Sequence, residues 1–85
     1  MNYELIMERQ NILQLALEGA FRERDICQSN FDNLNNKLTE LTLDGCSFSE
    51  KDKVVESMLY LKECINGWQD TINGIRNWQD ELKKY

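Results

Sequence analysis

Apolar residues fall along this chain in two long runs of alternating three- and four-residue steps. In the first run Ile6, Leu13, Ala20, Cys27, Leu34 and Leu41 recur every seven residues. Tyr3, Leu17, Phe31 and Leu38 fill most of a second row beside them, which Gln10 and Arg24 interrupt. In the second run Val54, Met58, Leu61, Ile65, Trp68, Ile72 and Ile75 alternate by four and three without a miss. Such alternation places all members on one narrow stripe of a helix, which is the signature of a coiled-coil seam. Beyond Ile75 the apolar residues are Trp78, Leu82 and Tyr85. Two consecutive steps of three predict a stammer there, a local overwinding or a change of buried face.

Between the runs lies Asp44-Gly45-Cys46-Ser47-Phe48-Ser49. Asp-Gly is a turn signal, and a glycine can take the left-handed conformation that ends a helix. Ser47 precedes Glu50 by three residues and Ser49 precedes Asp52 by three, so either serine can cap the next helix. The expected fold is all-α: a helix over about 2–43, a turn over about 44–48 and a helix over about 49–84, forming one long antiparallel hairpin in a single domain. Each helix would be roughly 50–60 Å long at about 1.5 Å per residue. The hairpin would pair residues whose numbers sum to about 92, bringing Leu38 to Val54, Leu34 to Met58, Phe31 to Leu61 and Cys27 to Ile65. Arg24 would come level with Trp68, a geometry suited to a cation–π contact. Gly19 and the stretch from Ser29 to Asn36 are poor helix formers and mark two places where the first helix can break.

Composition sharpens the picture. The chain has no proline and only four glycines in 85 residues, as uninterrupted helices require. Hydrophobic residues at 41% and charged residues at 29% suit a folded chain rather than a disordered one. So short a chain buries a small core and is marginal alone. The net charge is −5 with scattered lysines and arginines, which argues against direct binding to nucleic acid or an anionic membrane. No apolar run reaches the ~18 residues of a membrane span. The segment from Met1 to Arg9 carries Glu4 and Glu8 and shows no leader pattern, so the expected location is cytoplasmic.

Candidate chemistry is sparse. There is no histidine, the commonest proton shuttle and zinc ligand. Cys27, Cys46 and Cys64 are odd in number and lack metal-site spacing. Cys27 and Cys64 read as small reduced core residues, and Cys46 as a residue of the turn. Carboxylates such as Glu8, Glu23, Asp25, Glu56 and Glu63 are spread along solvent faces. No catalytic, cofactor-binding, metal or small-molecule site is expected, and the chain reads as non-enzymatic.

Surface features point instead to association. Leu5, Ile12 and Ala16 flank the first seam, with Leu15 pointing further round, and one partner helix cannot cover so wide an apolar surface. In the second helix Ile65-Asn66-Gly67 recurs as Ile72-Asn73-Gly74, and Trp68-Gln69-Asp70 as Trp78-Gln79-Asp80. Gly67 and Gly74 can form a smooth groove, with Trp68 and Trp78 as anchors. Gln10 and Gln79 lie on otherwise apolar rows, where polar residues set register or oligomeric state. The expected function is a protein–protein interaction module, an adaptor, small acidic chaperone or inhibitor, that packs through helices against itself or another helical protein and completes a four-helix bundle. The alternative is an acidic decoy covering a partner's nucleic-acid-binding surface, which Lys51, Lys53, Lys62, Arg76, Lys83 and Lys84 dilute.

In size, acidity and hairpin form the chain resembles the acidic helical chaperones of type III secretion systems, though no motif is shared. Secreted WXG-type hairpins are similar in size, but they carry Trp-x-Gly at the turn, where this chain has Asp44-Gly45-Cys46.

Overall fold

The computed structural model describes residues 3–45 and 47–84; the expectations for Asn2, Cys46 and Tyr85 lie outside the described residues. Two helices make up the fold, α1 (Tyr3–Leu43) and α2 (Phe48–Leu82), packed along their whole length as an antiparallel hairpin. The rod measures 64 × 14 × 13 Å. Its radius of gyration is 19.1 Å, against about 12 Å for a compact domain of this length. The 41 residues of α1 set the rod's length, since at ~1.5 Å rise each they span about 62 Å.

The inward stripe follows the rows of the sequence. On α1 the buried or half-buried positions include Ile6, Gln10, Leu13, Leu17, Ala20, Arg24, Cys27, Phe31, Leu34, Leu38 and Leu41. On α2 they include Val54, Met58, Leu61, Ile65, Trp68, Ile72, Ile75, Gln79 and Leu82. At the centre Ile72 is fully buried, against Leu17 and Ala20, and Phe21, Trp68 and Ile75 pack around this cluster. Ala20 and Ile72 are a pair of the expected register.

Two local expectations are corrected. The stammer after Ile75 is absent: Trp78 is 58% exposed, while Gln79 is half-buried and Leu82 is buried. The seam therefore continues in unbroken steps of four and three through Gln79. A glutamine is accepted there because it is satisfied on the spot. Gln79 Nε2 donates to Gln14 Oε1 at 3.2 Å, and Gln10 Nε2 donates to the Gln79 carbonyl at 3.1 Å. These bonds tie the two helices together at the open end and pin the register.

Arg24 does not lie over Trp68. Its guanidinium sits 5.0 Å from the centre of the Phe21 ring, one helical turn back, and Nη1 donates to Gln69 Oε1 at 3.1 Å. A ring three residues away on the same helix is within reach without bending the chain, and Gln69 offers an acceptor that an indole face lacks. Arg76 approaches the same Phe21 ring from α2 at 5.2 Å.

As the two-helix hairpin requires, α1 is continuous through Gly19 and through Ser29–Asn36, the two weak points at which it could have broken. Phe31, Leu34 and Leu38 face α2 there, so packing outweighs the weak propensity of the asparagines around them. Gln28 Nε2 also donates to Asp32 Oδ1 at 3.0 Å across one turn.

The turn follows local chemistry. Asp44 N–H still bonds to the Glu40 carbonyl, and Gly45 then takes φ 72°, a left-handed conformation that glycine reaches without strain. Of the two candidate caps the structure uses Ser47, with extended φ/ψ of −63° and 154° and its hydroxyl accepting from Glu50 N–H. Helix α2 therefore begins at Phe48.

Because Ile72 is the one fully buried large side chain among the described residues, Ile72→Ala should lower unfolding free energy by about 2–5 kcal/mol, read as a fall in the urea midpoint of the helical circular-dichroism signal. Ser47→Ala should cost about 1 kcal/mol in the same assay.

Candidate docking face

A two-helix rod has two open flanks, and two grooves between the helices show which residues border each. One groove is lined by Lys37, Leu41, Glu50, Lys53 and Val54. The other is lined by Phe31, Leu38, Val55, Met58, Leu59 and Lys62. Lys37 thus shares a flank with Glu50 and Lys53, while Val55 and Lys62 border the opposite one. Since the seam holds its seven-residue period, each border can be followed along the rod in steps of seven. From Lys37 the steps lead to Asn30, Glu23, Ala16 and Arg9. From Lys53 they lead to Tyr60, Gly67 and Gly74, and from Glu50 to Ser57, Cys64, Thr71 and Trp78.

The expected docking residues therefore converge on one flank. Leu5, Ile12 and Ala16 lie on its α1 side, Leu15 at its outer edge, and Gly67, Gly74 and Trp78 on its α2 side. Ile12 is 65% exposed and Leu15 68%. Trp68 is the exception: it is half-buried against the Leu17–Ala20–Ile72 cluster and belongs to the hairpin interior.

Two residues of this flank were not among the expected ones. Ile26, 49% exposed, continues the row Leu5–Ile12–Gly19 by one further step of seven. Tyr60, also exposed, heads the α2 row. The signal for both was the seven-residue repeat itself, carried one step past the residues that drew attention. Tyr60 is hydrogen-bonded to Cys64; that bond, the proximity of the Cys64 and Cys27 thiols and slight desolvation raise its hydroxyl above the ordinary value of 10.0.

The two flanks differ in character. The opposite one also carries exposed apolar residues, Met7, Val55 and Leu59, but interleaves them with Glu4, Glu18, Asp25 and Asp32 from α1 and Lys62, Arg76, Asp80 and Lys83 from α2. On the docking flank, between Ile12 and Ile26 and between Tyr60 and Trp78, the seven-residue rows carry Glu23 as their single charge. Exposed apolar residues spaced along one flank are what a partner-binding surface requires.

The glycines add a physical constraint. A Cβ built on Gly19, Gly67 or Gly74 meets no atom within 4 Å. Nothing inside the hairpin demands glycine at these positions, and each costs about 1 kcal/mol of helix stability relative to alanine. Substituting Gly67→Ala should therefore raise the urea midpoint, with a gain of about 1 kcal/mol. An unchanged or lower midpoint would show that its hydrogen is in contact with something.

No protein family, curated protein or solved structure matches the chain.

Proposed function

We propose that the protein is a non-enzymatic interaction module, an adaptor, small acidic chaperone or inhibitor, that docks helices onto the flank formed by Leu5, Ile12, Leu15, Ala16, Ile26, Gly74 and Trp78. The observation that carries this reading is the convergence of those residues on one side of the rod, with a more densely charged flank opposite. An apolar stripe of this extent on so thin a rod loses free energy by staying wet, at roughly 25 cal/mol per Å². The hairpin's own core is small: among the described residues six apolar side chains are buried, and Ala20 is one of them. A chain of this size gains stability from a partner subunit, so self-association into a four-helix bundle fits both facts. A cytoplasmic site of action accords with this role.

Light scattering on the purified chain tests the reading. The expected mass is above that of the 10.1 kDa monomer. Ile12→Asp should return it to monomer while the helical signal persists, because the exposed position tolerates aspartate in an isolated hairpin. A wild-type chain that stays monomeric at tens of micromolar, with no binding of an environment-sensitive apolar dye, would contradict the proposal.

A further inference from the structure

The α1 side of the docking flank is self-complementary about a point near its middle. On α1 its rows run Leu5, Arg9, Ile12, Ala16, Gly19, Glu23, Ile26, in alternating steps of four and three. Read outward from Ala16, residues at equal or nearly equal distances are complements. Arg9 and Glu23 stand seven residues to either side. Ile12 and Gly19, at four and three, set a large side chain against none. Leu5 and Ile26, at eleven and ten, are both apolar.

On α2 one pair repeats the property about the matching point. The register of the hairpin places residue 76 opposite Ala16. Trp78 and Gly74 stand two residues to either side of it, the largest side chain against the smallest.

From these matches we infer that the flank binds a second copy of this chain, in an antiparallel two-fold dimer whose axis passes between Ala16 and residue 76. This deepens the interaction reading above and rests on it. In this arrangement α1 packs on the partner's α1 and α2 on the partner's α2, so every neighbouring pair in the four-helix bundle is antiparallel. Arg9 of each copy faces Glu23 of the other, twice per dimer. Ile12 enters the space over the other copy's Gly19, and Trp78 the space over its Gly74, where a built Cβ meets nothing within 4 Å. An isologous interface requires that a patch fit itself under a two-fold operation. A row in which plus mirrors minus and large mirrors small meets that requirement; a surface shaped for an unrelated partner has no reason to.

Antiparallel neighbours set opposite helix-dipole ends side by side.

Charge exchange on the full chain tests the register. Arg9→Glu alone sets a carboxylate at position 9 against Glu23 twice, and Glu23→Arg alone sets arginine against arginine twice. Both positions are exposed in the hairpin, so helicity by circular dichroism should be unchanged. Each variant should dimerise about tenfold or more weakly than wild type, read by sedimentation equilibrium. An equimolar mixture should recover wild-type dimerisation, because the mixed pair restores both opposite-charge contacts. Variants that dimerise like wild type, or a mixture no tighter than its components, would overturn this dimer while leaving a self-associating module in place. A monomeric wild type would overturn the interaction reading beneath it.

Discussion

Everything in this structure depends on one narrow strip of side-chain packing. Ile72 is enclosed between Leu17 and Ala20, and the same contact repeats along the rod at every turn of the seam. Helices this long are not stable in water by propensity alone. They persist because each supplies the apolar stripe that the other needs. A rod this thin has no second layer, so each seam position is buried by side chains from one direction only. That is why most seam residues are half-buried, and why apolar side chains are left over outside the seam.

Where the seam meets polar residues the structure answers with specific bonds. Gln10 and Gln79 interlock across the open end, and Arg24 is held between Phe21 and Gln69. These polar interruptions contribute little hydrophobic energy. Their effect is on register: a shift of either helix by one turn would break the Gln10–Gln79 and Arg24–Gln69 bonds together and bury polar groups without partners.

The hairpin was legible in the sequence because seven-residue periodicity is a long-range signal that many positions share. The ends of that signal were not. Trp78 is the largest apolar residue nearby and points off the seam, while Gln79, which holds the seam position, is polar; its side chain is accommodated there by its hydrogen bond to Gln14. Arg24 was assigned to Trp68 by register alone, which fixes the level along the rod but not the direction in which a long side chain leaves the seam. The docking flank was visible as an excess of apolar residues on α1 and as paired glycines on α2. That both lie on the same side of the rod required the structure, since the handedness of the pairing decides which flanks are shared.

The central claim is that one chain folds back on itself along this seam. Pulsed electron–electron resonance between nitroxides at positions 8 and 80, in a chain whose cysteines are replaced by serine and which is diluted with unlabelled protein, measures it directly. With helix axes about 10 Å apart, the labels should lie roughly 15–25 Å from one another within a single chain. A distance near the roughly 110 Å of one continuous unfolded-back helix, or a broad distribution without a short component, would contradict the account.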